Sequence, residues 1–420
     1  MAEVATATGR PRRLLFSSYH CYLDPSSGAA LATRDLLRML AGRGWQCRVL
    51  CGPQLDFEEG ESLTQLLSDQ GVRWASRPCP AGPMPFTLLQ FEQAGIPVTV
   101  YSPSVGRAPV PTGAEGLPFL ALLERLLETF RPDAMLTCGG HWLAAEVIAC
   151  AKRQGVPVVF GLHNFAYTDA AFFRPVDAVL VPSRFARDYY RRSLGLDCTA
   201  LPHPLDWSRF LCPEVEGRYA TFVNPQPHKG VFVFARIAHE LGRRRPDIPL
   251  LVVEGRGRAH WLYRTGLDLT GAGNLHVMAN TPDPRDFYRV SRLVLMPSLW
   301  NESFGLVAAE ALANGIPVLA SRRGALPELL EQAGFLFDIS GHYTPESRLV
   351  PTAEEVAPWV DTIIRLWDDP ESYEAERRRC RRAAEAWRPE RLGPHCEAFF
   401  AEVVGRRAGR HAGRHERPST

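Results

Sequence analysis

Lysine is almost missing from this chain: of its 48 basic residues only Lys152 and Lys229 are lysines, so a lysine placed in a loop carries weight. Long apolar runs are missing too. None approaches the ~18–20 residues that a membrane-spanning helix needs. The Arg12-Arg13 pair is followed only by Leu14-Leu15-Phe16 before polar residues return, so no signal peptide is expected. The ten cysteines, among them Cys21, Cys79, Cys138, Cys198 and Cys380, form no CxxC pair and no Cys/His cluster at zinc spacing. They read as reduced thiols of a cytoplasmic protein without a metal site. No G-x-G-x-x-G follows the first strand of either half, which argues against a dinucleotide-dependent oxidoreductase.

The formal charge of +2 hides an asymmetry, because Arg406, Arg407, Arg410, Arg414 and Arg417 against Glu416 contribute +4 and leave the remainder near −2. Residues 406–420 read as a solvated, disordered basic tail, and no nucleic-acid partner is expected.

A length of 420 residues exceeds what one core serves, and 45% apolar residues can fill two. Arg13-Leu14-Leu15-Phe16-Ser17-Ser18 reads as a buried strand entering the loop Asp24-Pro25-Ser26-Ser27-Gly28, followed by a helix carrying Leu31, Leu36, Leu37 and Leu40 at helical spacing. Further strands are expected at Cys47–Leu50, Ala134–Thr137, Val156–Phe160 and Ala178–Val181, with an interruption at the Pro/Gly-rich residues 78–118. After Leu201-Pro202-His203-Pro204-Leu205-Asp206 a second series begins at Tyr219–Val223 and continues at Leu250–Val253, Leu293–Met296 and Ile316–Ala320. Alternation of this kind predicts two α/β domains, each a doubly wound parallel sheet, over 12–205 and 219–385, facing each other across a cleft.

The richest segment runs from Met296 to Val318. A strand ends in a polar loop, Ser303 is the expected N-cap, the helix runs to about Ala313, and Asn314-Gly315 close it. Backbone N–H groups of Phe304, Gly305 and Leu306 at the helix start would suit a phosphate. Glu302 and Glu310 would lie about 12 Å apart along a continuous helix, wide for a hydrolytic carboxylate pair but fit to grip two ends of one ligand. Alone, each glutamate reads as surface; between Ser-Phe-Gly and Gly-Ile-Pro-Val they read as a site.

This segment resembles the E-x7-E motif of retaining GT-B-fold glycosyltransferases, specifically glycosyltransferase family 4 (glycosyl transferases group 1). The resemblance implies that Glu302 contacts donor-sugar hydroxyls and Glu310 the ribose. Phe222-Val223-Asn224-Pro225-Gln226-Pro227-His228-Lys229-Gly230 is similar to the family's strand and Lys-Gly loop, in which the lysine binds the donor diphosphate. Asn224 stands where the family usually has arginine, so Arg256 or Arg258 is a candidate for the missing charge. Phe160-Gly161-Leu162-His163-Asn164 resembles the strand ending in a histidine beside the donor sugar, which makes His163 a catalytic-centre candidate with Lys229 and Glu302. Gly28 and His141 are further ligand-side candidates from their loops. The resemblance runs from about residue 12 to about 405, including a helix at 386–405 that crosses back to the first domain, and leaves out residues 53–118 and the tail.

The implied activity is transfer of a sugar from a nucleoside-diphosphate donor, most commonly a UDP-sugar in this family, with retention of anomeric configuration. No bound cofactor is implied, and no Asp-x-Asp segment suggests a metal-held diphosphate. The acceptor stays open among a glycan, a lipid-linked sugar, a small metabolite and a protein, with peripheral membrane contact possible. A catalytically silent sugar-nucleotide-binding protein and a sugar-nucleotide hydrolase or epimerase of the same fold are the alternatives.

Overall fold

The computed structural model describes residues 10–56, 63–80, 84–104, 110–269, 271 and 273–415, with backbone alone over 407–415. The chain divides into two units: Ser183–Ala186 with Leu205–Arg388 form the second, and the rest forms the first.

In the first unit the strands are β1 (Arg13–His20), β2 (Gln46–Gln54), β3 (Ala75–Cys79), β4 (Phe86–Gln93), β5 (Ile96–Pro103), β6 (Ala134–Thr137), β7 (Val158–Gly161), β8 (Ala178–Val181) and β9 (Cys198–Ala200). They form one sheet in the order β3-β4-β5-β2-β1-β6-β7-β8-β9. Leu14, Leu15 and Phe16 of β1 are buried on both faces, as the continuous apolar run requires of a central parallel strand.

The sheet continues through the Pro/Gly-rich region, where an interruption was expected. There β4 and β5 form an antiparallel hairpin, turning at Ala94 (φ 52°) and Gly95 (φ 77°), the two positive dihedrals that match the twist of paired strands. Pro97 and Pro103 sit at the ends of β5, where a missing N–H costs few ladder bonds.

The final helix, Pro389–His415, belongs to this unit. Its Cys396, Phe399, Phe400 and Val403 join the core around β1 and β2, and Glu397 accepts from Arg43 Nε at 2.8 Å. Residues 406–415, expected to be disordered, continue this helix. Arginine and alanine are good helix formers and propagate a turn already nucleated by packing. Residues 416–420 lie outside the described residues.

The second unit carries β10 (Tyr219–Val223), β11 (Leu250–Val253), β12 (Leu275–Met278), β13 (Ser291–Met296), β14 (Val318–Ser321) and β15 (Phe335–Phe337). All are parallel, in the order β12-β11-β10-β13-β14-β15. From β10 the chain winds outward through β11 and β12, then crosses back to β13 and winds the other way. The loops leaving β10 and β13 therefore part at a topological switch point, the place where such sheets bind ligands.

Candidate active site

Those two loops hold most of the residues singled out in the sequence. At the end of β10, Asn224 takes a left-handed backbone (φ 62°), which asparagine tolerates better than most residues. Its N–H donates to Val253 O at 2.8 Å, and its Oδ1 accepts from Gly257 N–H at 2.6 Å and Gln226 Nε2 at 2.9 Å. Asn224 thus clamps the loop after β11 onto the loop after β10. That gives the departure from arginine a structural reason. Asn224→Arg is expected to cost about 1–3 kcal/mol, from left-handed strain and the orphaned Gly257 N–H, without tightening nucleotide binding. Chemical denaturation and calorimetry with UDP would check both halves.

Pro227–Lys229 form a single tight turn closed by Gly230 (φ 83°), whose absent Cβ would lie 1.8 Å from Pro297 O. Only glycine fits there. His228 O accepts from the backbone N–H of Leu299 at 2.9 Å and of Trp300 at 3.3 Å, so the two loops are cross-braced through their main chains.

This brace brings Lys229 Nζ within 2.7 Å of Glu302 Oε1 and 4.5 Å from the centre of the Trp300 ring. Ser298 Oγ also donates to Glu302 Oε1, at 2.8 Å. Burial by itself would penalise the Glu302 charge. The Lys229 ammonium and hydrogen bonds from Lys229, Trp300 and Ser298 outweigh it and hold the carboxyl below its usual range. Glu302 is also fixed through its backbone: its O accepts from Ala325 N–H at 2.7 Å, and a Cβ on Gly324 would lie 2.3 Å from its N. The His228 ring, 4.5 Å from Trp300, is pushed down to about 4 by burial and by the neighbouring Lys229, and is neutral at pH 7.

The helix after β13 starts later than expected. Ser303 is not its N-cap; Gly305 is, in a left-handed conformation (φ 98°), and the helix spans Leu306–Ala313. A backbone turn that only glycine adopts without strain sets this boundary, so the first-turn N–H groups begin at Leu306 rather than Phe304. Phe304 is buried with its ring edge-on to Trp387 at 6.2 Å.

On this helix Glu310 is 5% exposed and its two oxygens are divided between partners. Oε1 accepts from Arg209 Nη2, and Oε2 from the Tyr288 hydroxyl at 2.9 Å. Asn314, at the far end of the helix, accepts from Cys212 N–H at 2.8 Å and donates to Phe210 O at 3.2 Å, fastening the Arg209 segment in place. Sequence reasoning missed Arg209, Tyr288 and Ser298. The one available signal was the placement of Arg209 just beyond the Asp206 landmark, after Trp207-Ser208. Of the two arginines after β11, Arg258 pairs with Glu254 at 3.3 Å, while Arg256 is exposed and acts electrostatically on His228.

His163 and Gly28 belong to the first unit. Gly28 opens the helix Gly28–Gly42. His163, just past β7, lines a small pocket with His203, Leu180, Pro182 and Cys396, its ring 5.4 Å from that of His203. Burial lowers it to about 4, so it offers a neutral imidazole, and its Nδ1 lacks a hydrogen-bond partner.

Residues 26–209 match the family Glycosyltransferase Family 4, and residues 218–387 match Glycosyl transferases group 1. The chain belongs to glycosyltransferase family 4. Residues 53–118, which the resemblance left out, fall inside the first match. Among curated relatives, the D-inositol 3-phosphate glycosyltransferase of Arthrobacter sp. (strain FB24) is 35% identical over 150 residues, 34% of this chain and 32% of that protein. The lipopolysaccharide core biosynthesis mannosyltransferase LpsB of Rhizobium meliloti (strain 1021) is 29% identical over 216 residues, 47% of this chain and 57% of its own. The chain spans about a third of the length of the first of these, so their activities stay with them. The glycosyltransferase from Rickettsia africae ESF-5 superposes with a TM-score of 0.66 at 12% identity over 94% of this chain and 99% of its own. Anabaena Alr3699/HepE, solved in complex with UDP-glucose, superposes with a TM-score of 0.64 at 17% identity over 93% of this chain and 99% of its own. These likenesses show the GT-B fold: two α/β sheets, the second wholly parallel and the first parallel except at its β3-β4-β5 edge, with a C-terminal helix packed on the first domain.

Proposed function

We propose that this glycosyltransferase moves a sugar from a UDP-sugar to an acceptor hydroxyl with retention of anomeric configuration. The observation that carries the reading is the Lys229–Glu302 pair, its carboxylate buried and its ammonium partly so, braced at the switch point between β10 and β13. Glu302, held ionised, is an acceptor for donor-sugar hydroxyls. Lys229 and the first-turn N–H groups from Leu306 onward supply positive charge where the departing diphosphate gains negative charge. Glu310, steadied by Arg209 and Tyr288, serves the ribose, and His163 is a neutral hydrogen-bonding group for the sugar. In the transfer the anomeric carbon exchanges its bond to the diphosphate oxygen for one to the acceptor oxygen, and the acceptor proton leaves with the diphosphate. The UDP and UDP-glucose complexes of HepE support the donor class, and the glycosyl- and mannosyltransferase names of the curated relatives support sugar transfer.

A thermal-shift panel of nucleoside diphosphates tests it. UDP at about 100-fold above its Kd is expected to add about 2.7 kcal/mol, roughly 3 °C in midpoint for a chain of this length, with ADP and GDP giving less. NMR of the product then reads the anomer. Acceptor-independent release of sugar at full rate would mean a hydrolase, and UDP binding with no turnover of any donor would mean a silent binding protein.

A further inference from the structure

The turn that presents Lys229 presents a second basic side chain. Pro227–Lys229 is one tight turn past the carboxyl end of β10, so His228 and Lys229 leave the chain at the same switch point. Both lie against one indole: the Trp300 ring centre is 4.5 Å from that of His228 and 4.5 Å from Lys229 Nζ. The backbone holds this arrangement, because His228 O accepts from the N–H groups of Leu299 and Trp300. The imidazole is thus fixed in place without the use of its nitrogens. Among the described residues nothing hydrogen-bonds to the half-buried His228 ring and neither of its nitrogens is a buried orphan, so both are open to solvent beside the Lys229 ammonium. His141 differs: both of its nitrogens are buried, which leaves nothing for a ligand to reach.

Charge balance gives this ring a task. Lys229 and Glu302 cancel, and Arg258 is paired with Glu254. Asn224 brings no charge and uses its Oδ1 on the Gly257 and Gln226 donors. The diphosphate of a nucleotide sugar is a dianion, and its leaving end gains further charge as the sugar departs. It calls for positive charge beyond the Lys229–Glu302 pair. An imidazole can supply that charge when it is needed. In the free chain burial and then Lys229 lower His228, Glu302 raises it and Arg256 lowers it, while the Trp300 ring packed against it is uncharged. A dianion beside Lys229 offsets the two cations and attracts an imidazolium, so it drives the ring back toward the ordinary histidine range.

We propose that His228 is a second side chain for the donor diphosphate, taking a proton from solvent as the donor binds and meeting the diphosphate as an imidazolium next to Lys229. The proton returns to solvent when the diphosphate leaves, and the imidazole forms no covalent bond. This rests on the donor reading above and adds a residue and a proton to it. Because the ring holds its proton more tightly in the complex than in the free chain, donor affinity gains as pH falls. The gain is lost as pH rises through the ring's value in the complex.

Calorimetry of UDP-glucose binding to the full chain, in buffers of low and high ionisation heat, tests it. UDP-glucose serves better than UDP because both of its phosphates stay fully ionised across the range, so any proton taken up belongs to the protein. With His228 returned to about 6.5 in the complex, the parent chain is expected to take up nearly one proton per UDP-glucose at about pH 5.5, and to bind it about tenfold more tightly there than at about pH 8. His228→Gln is expected to abolish the uptake, flatten the pH profile and weaken binding at about pH 5.5 roughly tenfold. His228→Lys, with a fixed charge, is expected to bind more tightly than the parent at about pH 8, again without uptake. A ring that merely packs on Trp300 would give none of these differences. Uptake that persists in His228→Gln would assign the proton to another group, Glu302 first, and overturn the proposal. Binding by the parent without uptake, or variants that bind like the parent at both pH values, would overturn it too. Failure of the parent chain to bind UDP-glucose at either pH would instead remove the donor reading, and this proposal with it.

Discussion

Lys229→Ala is expected to lower kcat for transfer about 100- to 1,000-fold, the usual cost of deleting one preorganised charge at the point where charge develops. The same substitution strands Glu302, whose carboxylate is buried and has this ammonium as its counter-ion. Removing one half of a buried pair costs about 3–5 kcal/mol, and Ser298 offsets only part of it. Protonation relieves the remainder. In the parent chain the Glu302 carboxyl is depressed, so its contribution to stability is present above the ordinary carboxyl range and is lost as pH falls through the folded value. Without Lys229 only the Trp300 and Ser298 hydrogen bonds oppose burial and the carboxyl rises, so the variant's deficit is greatest at neutral pH and shrinks as pH falls toward 5. Denaturant melts at both pH values measure this. A Lys229→Met/Glu302→Gln double variant should recover most of the stability but none of the turnover. Retention of full kcat by Lys229→Ala would place the donor diphosphate elsewhere.

Arg209→Leu should act on binding rather than on chemistry. Glu310 would lose the guanidinium on Oε1 and keep only the Tyr288 hydroxyl on Oε2. A hydrogen bond to a charged group contributes about 1.5–3 kcal/mol, so donor KM should rise about 10- to 100-fold while kcat changes little, the pattern of lost uniform binding. Arg209→Lys should recover part of the affinity, because it restores the charge without the planar fork. Tyr288→Phe should cost less, roughly fivefold, as one neutral donor is removed. UDP calorimetry on these variants separates affinity from turnover. Unchanged UDP affinity in both Arg209→Leu and Glu310→Ala would remove Glu310 from the nucleotide site.

Which elements were legible follows from how locally they are specified. Ala134–Thr137, Ala178–Val181, Tyr219–Val223 and Leu250–Val253 are short apolar runs between polar or helix-forming segments, and each is a buried or half-buried parallel strand over the residues expected. The β4–β5 hairpin was hidden because Pro97 and Pro103 read as loop and its turn uses Ala94, not the usual Asn-Gly pair. Ser303 looked like a helix cap because serine often is one. The cap fell to Gly305 because the chain leaving Glu302 has to pass through a left-handed turn. Arg209 could not be read as a partner of Glu310, since 101 residues separate them and nothing local links the two.

By itself the sequence determined the parallel strands at the heart of both sheets and the composition of their loops, because burial periodicity, glycine and proline act over a few residues. Tertiary structure alone decided which loops meet. Strand order sets β10 beside β13, and so pairs Lys229 with Glu302 across 73 residues. It also turned Asn224 from a missing cation into a backbone clamp, because its role depends on a loop 33 residues further on. Hydrogen-bond partners and counter-ions are chosen by proximity in the folded sheet, and that proximity is a property of topology rather than of any segment.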